Sequence, residues 1–281
     1  MPTVSNMGYT EFSCDCGFHY IGNYTFYSEI LDDAYAGNAT VLAKGIDIAE
    51  VNHEYVGGVY KPLDWSAIKA EGVEYVILKA GSSERVEYAI NKGGISPTFA
   101  EDYAAAREAG LDIGAYFFTY ATSVDEIRKD AELLLTILDG KKFEYPIYLD
   151  LEHEALADLG APILTEMCME FFTILQENGY YTGLYVNNNW LVNILQTEKM
   201  IDLFEIWYAR YYPAVAQGDS VPFINNYVWN TEKFGEHLGM WQFTEKGKLN
   251  SIPHSSVDFD YSYKDYPTLI KRLGLNGYEA S

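Results

Sequence analysis

From Gly45 onward the chain repeats one pattern: a short apolar run, then a polar segment with helical spacing, then another apolar run. The runs are GIDIAEV (45–51), EYVILKAG (74–81), DIGAYFFTYA (112–121), YPIYLDLE (145–152), TGLYVN (182–187), EIWYARY (205–211), GMWQFTE (239–245) and SVDFDYSY (256–263). Each is rich in β-branched and aromatic residues, which predicts a strand. Helices are expected at 65–71, 98–109, 123–138, 163–177, 189–196 and 266–272. Gly72, Gly110 and Gly179 stand as stops, and Ser123 with Glu126 spells a capping box. Strands that alternate with helices imply a parallel sheet. Eight of them suggest a closed (β/α)8 TIM-like barrel of the α/β class, with an open doubly wound sheet as the alternative. The helices thin out after the fifth strand.

A chain of 281 residues accommodates one such barrel. The formal charge is 19 − 41 = -22. That excludes a basic nucleic-acid footprint and disfavours anionic membranes, while a neutral polymer such as a glycan stays open. No apolar run approaches the roughly 18 residues of a membrane span. Aromatic residues make up 16% of the chain. They suit either core packing or stacking on sugars. Residues 1–40 are a section apart, rich in Tyr, Gly, Asn and Ser, with a short helix expected at 29–36. They read as an extension or connector ahead of a barrel at 41–281. The first residues lack the basic and apolar regions of a signal peptide. Cys14 and Cys16 with His19 hint at a metal but make no four-ligand set, and no metal or cofactor is expected. No G-x-G-x-x-G or P-loop follows any strand, so nothing supports a nucleotide site.

Chemistry gathers at the strand ends. In a (β/α)8 barrel the site is built at the C-terminal ends of the strands. The fourth run ends in Asp150, Leu151, Glu152. Alternation puts both acids on one face, with Cα atoms roughly 6.6 Å apart. In a dry site one of their pKa values is expected to rise and the other to stay low. Asp47, Lys79, Tyr116, Tyr185, Trp207, Trp241, Gln242 and Asp258 lie in the other runs. Acids buried in apolar strands are unfavourable without a purpose. Singly, each has a plain structural explanation: Asp47 as a strand-end cap, Lys79 as an ion-pair partner of Asp47 or Asp150, the two Trp as core. Asp260 is expected to face away from Asp258's neighbours or into a loop.

The ordered segments resemble the family 25 glycoside hydrolases, Chalaropsis-type N-acetylmuramidases that include phage endolysins. The carrying residues are Gly45-Ile46-Asp47-Ile48 with Asp64-Trp65, Glu74 to Ala80, Gly114 to Phe118, Pro146 to Glu152, Thr182 to Tyr185, Trp207 to Tyr211, Trp241 to Phe243, and Val257-Asp258. They follow in order across roughly residues 45–263. The resemblance implies a modified barrel, irregular in its last strands, and cleavage of the β-1,4 bond between N-acetylmuramic acid and N-acetylglucosamine in bacterial peptidoglycan. It implies Glu152 as general acid, Asp150 as its partner carboxylate, and Asp47 and Asp258 as further site acids. It places Tyr116, Tyr185, Trp207 and Trp241 around the sugar; Gln242 and Lys79 are further candidate binding residues, Lys79 with Arg210 as a cation for the negative lactyl group of muramic acid. The pattern departs in two places. Phe117 stands where the family usually has His, and the stretch after Asp47 is longer, with Asn52, His53, Gly57 and Gly58. Other readings are a virion-associated protein that carries this domain, a barrel that binds glycan without cleaving it, and a glycosidase of chitin-like polymers. Residues 1–40 are a candidate tether to a virion or wall partner. Each lytic reading places the protein's action at the bacterial cell wall.

Overall fold

The computed structural model describes residues 8–13, 19–25, 41–84, 94–195, 204–211 and 238–280. A hairpin, β1 (Gly8–Ser13) and β2 (His19–Thr25), comes first and pairs antiparallel. The helix expected at 29–36, the Cys14/Cys16 pair and the polar stretch 213–237 lie outside the described residues.

The barrel opens with β3 (Ala43–Ile48). A 3-10 turn at Glu50–Asn52 and a small hairpin, β4 (Tyr55–Val56) and β5 (Val59–Tyr60), follow. Then come α1 (Trp65–Ala70), β6 (Tyr75–Ser82), a two-residue β7 (Gly94–Ile95), α2 (Phe99–Glu108) and β8 (Asp112–Phe118). The central units are α3 (Val124–Leu138), β9 (Ile147–Asp150), α4 (Gly160–Glu177) and β10 (Thr182–Asn187). The last are β11 (Ile206–Ala209), β12 (Leu238–Gly247), β13 (Val257–Ser262) and α5 (Tyr266–Leu273).

The strands β3, β6, β8, β9, β10, β11, β12 and β13 form a closed ring. All eight runs read from the sequence are in it. Neighbours pair parallel from β3 round to β12, whereas β13 runs antiparallel to both β12 and β3. That reversed strand is the expected irregularity. The ends of the helices follow ordinary capping chemistry. Asp64, Ser123 and Asp265 each accept a backbone N–H three residues on. The Ser123 box is only half as expected, because Glu126 turns its carboxylate to the Thr122 N–H and hydroxyl.

Two apolar layers result. The outer face of the ring packs on the helices through residues such as Ile46, Val76, Ala115, Leu149 and Leu184. The inner face holds Tyr75, Tyr148, Tyr185, Trp207 and Met240, and α5 closes the N-terminal end of the ring with Tyr266 and Ile270. These rings need room across the barrel. Gly45 is paired with Tyr75 and Gly183 with Tyr148. A Cβ on Gly45 would lie 2.3 Å from the Tyr75 ring, and one on Gly183 would lie 2.4 Å from Tyr148. Glycine is therefore required at both places, where the aromatic rings fill the barrel interior.

Candidate active site

The mouth is a groove of about 910 Å³ lined by Asp47, Tyr116, Glu152, Tyr185, Arg210, Tyr211 and Asp258, among others. Beneath it a narrower space of about 80 Å³ is walled by Asp47, Asp150, Glu152 and Asp258, with Tyr116, Tyr185, Trp207 and Gln242. Eight of the ten predicted site residues thus meet at one point.

The strands explain the convergence. Asp150 is the last residue of β9, and Glu152 stands just past the strand end, so the second acid is carried by the loop rather than by the pleat. Asp47 on β3 lies directly opposite Asp258 on β13. Asp47 Oδ2 accepts a 2.7 Å bond from Gln242 Nε2. Gln242 is oriented in turn, because its Oε1 accepts from both Tyr185 (2.9 Å) and Tyr211 (2.6 Å). Trp207 packs edge-on to Tyr185 at 4.6 Å and to Tyr116 at 6.1 Å between ring centroids.

Electrostatics differ from the sequence expectation that one acid of the D-x-E pair would stay low. Burial, then the charges of Glu152 and Asp47, push Asp150 well above the usual carboxylate range, with Lys79 opposing. Burial also raises Glu152, while a hydrogen bond from Asn187 pulls the other way. Asp150 Oδ1 is buried with no hydrogen-bond partner among the described residues. Burial and Asp47 take Asp258 up to about 9. Acids crowded in a dry space hold protons that isolated acids would have lost.

Two predicted residues are placed elsewhere. Trp241 is fully buried on the outer face, against Phe243 and Tyr261, with its Nε1 donating to the Arg210 carbonyl. Neighbours on a strand face opposite sides, so with Gln242 inward Trp241 cannot also touch a sugar. Lys79 pairs at 3.0 Å with Glu50, from the 3-10 turn after β3, and not with Asp47 or Asp150. Asp260, expected to face away, is inside: it is two residues from Asp258, fully buried, and accepts from Trp207 Nε1 at 2.7 Å. Phe117 points outward onto Phe171 of α4.

The sequence profile of the glycosyl hydrolases family 25 matches residues 46–252. This chain belongs to that family. Solved structures of similar fold include the CTP1L endolysin (22% identity, 82% of this chain and 70% of that one, TM-score 0.58). A bacterial lysozyme from Streptomyces coelicolor is similar at 17% identity, over 82% of this chain and 96% of its own, with a TM-score of 0.59. The catalytic domain of endolysin ply40 from bacteriophage P40 of Listeria monocytogenes matches at 17% identity, over 83% and 98%, with a TM-score of 0.58. None of the curated proteins matches this chain.

In this family 25 glycoside hydrolase the residue to which sequence reasoning gave no role is Tyr211, while Asn187, Arg210 and Asp260 were noticed at strand ends but not counted among the site residues. Tyr211 and Arg210 follow β11, and Asn187 ends β10. All three line the groove. Their positions at the ends of strands were the available signal. Among the described residues no helix is long and apolar enough to cross a membrane.

Proposed function

We propose that this glycoside hydrolase is a muramidase. It cleaves the β-1,4 bond between N-acetylmuramic acid and N-acetylglucosamine in bacterial peptidoglycan. The observation that carries the reading is the meeting of Asp150, Glu152, Asp47 and Asp258 in one small space under an open groove, in a member of a glycosidase family. Similar structures point the same way: two are endolysins, and another, the autolysin LytC from Streptococcus pneumoniae, was solved with a synthetic peptidoglycan ligand.

Glu152 is the general acid. It is the half-buried member of its pair, it faces the groove, and its raised pKa keeps a proton ready for the glycosidic oxygen. Asp150 is the stabilising carboxylate. A positive charge that develops on the sugar lowers its pKa and favours its ionised form at the moment it is needed. Both acids approach from one strand end, which suits attack by the sugar's own acetamido oxygen, a known departure from the two-carboxylate scheme. Asp47 and Asp258 lie across the space and complete the acid ring. Tyr116, Tyr185 and Trp207 form the floor on which a sugar is received. The groove is large enough for a polymer segment. In the same reading the catalytic unit is 41–281, residues 1–40 are its tether to a virion or wall partner, and the site of action is the cell wall.

The test is clearing of purified peptidoglycan by wild type and Glu152→Gln, with mass spectrometry of the new reducing ends. Wild type should release reducing muramic acid, and the variant should be slower by about 10²–10⁴-fold. New ends at N-acetylglucosamine would refute the bond assignment, and equal rates would refute the role of Glu152. NMR of the first product distinguishes the route, since an initial α-anomer rules out participation by the acetamido group.

A further inference from the structure

Asp260 is an acid that the reaction does not reach. It lines neither the groove nor the narrow space below it. On β13 it sits two residues from Asp258 on the inward face, level with Gly45 of β3 and Gln242 of β12. Its side chain is fully buried. One oxygen accepts the Trp207 Nε1–H at 2.7 Å, whereas Oδ2 has no N–H or hydroxyl donor among the described residues. Asp258 pairs with Asp47 and Asp260 with Gly45, so Asp260 is the diagonal neighbour of Asp47 on the inward face, and the two carboxyls are near enough to shift each other's ionisation.

Among the described residues no basic side chain is set against Asp260. The groups that face Asp260 are Asp258 on its own strand, Asp47 from β3, Tyr75 from β6, Tyr148 from β9, Trp207 from β11 and Gln242 from β12. None is positively charged. Lys79, the basic residue among the predicted site residues, is engaged with Glu50. Two buried carboxyl groups side by side, with no basic side chain among the described residues set against them, do not both ionise readily. Each also has one fixed N–H donor, Trp207 for Asp260 and Gln242 for Asp47. The pair is therefore balanced, with one donor on each side and a single place for hydrogen between.

We propose that Asp260 and Asp47 share one proton, and that Asp260 is thereby a positioning residue that fixes the orientation and charge of Asp47 at the mouth of the barrel. The proton closes a continuous chain from Trp207 through Asp260, Asp47 and Gln242 to Tyr185 and Tyr211. Asp47 is held with one oxygen on Gln242 and presents the rest of its carboxyl to Asp258 and the groove. The shared charge stays at one negative unit, so Asp47 neither repels its neighbours as a full second anion nor becomes an inert neutral acid. The consequence for turnover rests on the muramidase reading. The proton itself does not, and its test needs no substrate.

The experiment is infrared spectroscopy of the full chain at neutral pH, reading the C=O stretch of protonated carboxyl groups. Wild type is compared with Asp260→Asn, Asp47→Asn and the double variant. Asparagine at 260 keeps an acceptor for Trp207 and gives Asp47 an N–H donor, so the net charge of the pair is unchanged. Each single variant should lose the same band, and the double variant should lose no more than either single. No loss in Asp260→Asn would overturn the proposal, because Asp260 would then hold no part of a proton. Two separate losses that add in the double variant would also overturn it, as two independent neutral acids. Trp207→Phe, judged folded by circular dichroism, provides a second reading. Without the N–H donor the proton moves toward Asp260, so the band should shift without disappearing. An unmoved band would count against a shared proton. A peptidoglycan assay on the same preparations separates the two claims: band changes without any wall activity in wild type would leave the proton pair standing and remove the muramidase reading.

Discussion

Asp258 sets the needs of the site against those of the fold. Its pKa is pushed up to about 9 by burial and by Asp47, against about 3.9 in an unfolded chain. A group with a raised folded pKa contributes most to stability below its unfolded value. That contribution is lost as pH rises through the folded value. Between about pH 4 and 9 the folded protein keeps a proton that the unfolded chain would release, which destabilises it. Asp258→Asn removes that penalty. The variant is expected to gain about 0.5–2 kcal/mol at neutral pH and to lose activity, as stabilising changes in active sites commonly do. Melting of both proteins from pH 4 to 9 tests this: the gap should open above pH 4 and level off near 9, and a constant gap would refute the ionisation argument. The raised Glu152 makes a second forecast. Its acid form must be present, so turnover should fall as pH rises through that value, with an optimum on the acidic side of neutral. A rate that stays flat to pH 9 would exclude Glu152 as the acid. Most of this ring was legible because acids in apolar strands are conspicuous. Trp241 was misplaced because two adjacent polar-capable residues, Trp241 and Gln242, give no phase by themselves. The Gln242–Asp47 bond decides it.

Between strands, the longer stretch after β3 has its own lock. His53 Nδ1 lies 2.9 Å from the Lys61 carbonyl and Nε2 lies 3.0 Å from Asp102, while Trp65 Nε1 also donates to Asp102 at 3.2 Å. A carbonyl and a carboxylate only accept, so both ring nitrogens carry hydrogen and His53 is an imidazolium. Burial opposes that charge, but the bond and charge of Asp102 outweigh it and raise the pKa. The stability contributed is full below about pH 6.5, the unfolded value, and disappears as pH rises through the folded one. The lock holds a hairpin that turns at Gly57 and Gly58, with φ of 64° and 85°, next to the groove residues Val51 and Asn52. Hydrogen exchange of residues 50–61 should therefore quicken from pH 6 to 9 beyond the intrinsic rate. His53→Ala should be unprotected at both pH values and less stable by about 1–3 kcal/mol. Equal protection at the two pH values in wild type would remove the imidazolium. From sequence this stretch was visible as an insertion, but its partner, Asp102, lies 49 residues away on α2. The eight barrel strands were legible because apolar runs announce them. The reversal of β13 was not, since a strand's side-chain pattern carries no direction. The nearest signal was the connection 248–256, too short for a parallel crossover of a dozen or more residues. The β1–β2 hairpin was missed because GYTEFS and HYIGNYT lack a clean period of two.

Across the whole molecule the charge of -22 acts at a distance that no single residue reveals. Cell walls that carry anionic polymers repel such a protein before the groove can engage a glycan strand. At 0.01 M salt the Debye length is about 30 Å, comparable to the size of a barrel, and at 0.15 M it is about 8 Å. Screening therefore removes repulsion from most of the surface but leaves contacts within the groove largely intact. Clearing of anionic walls should accelerate between these two salt concentrations, on the order of tenfold through the encounter rate. Walls stripped of their anionic polymers should show a much smaller change, because the remaining glycan is closer to neutral. The opposite slope is informative too. Arg210 and Lys246 stand on the groove wall among the acids. If local attraction to those two cations governs binding, salt will slow clearing on both kinds of wall. A rate that falls with salt on the anionic wall would thus refute control by overall charge and move recognition to the Arg210 side of the groove.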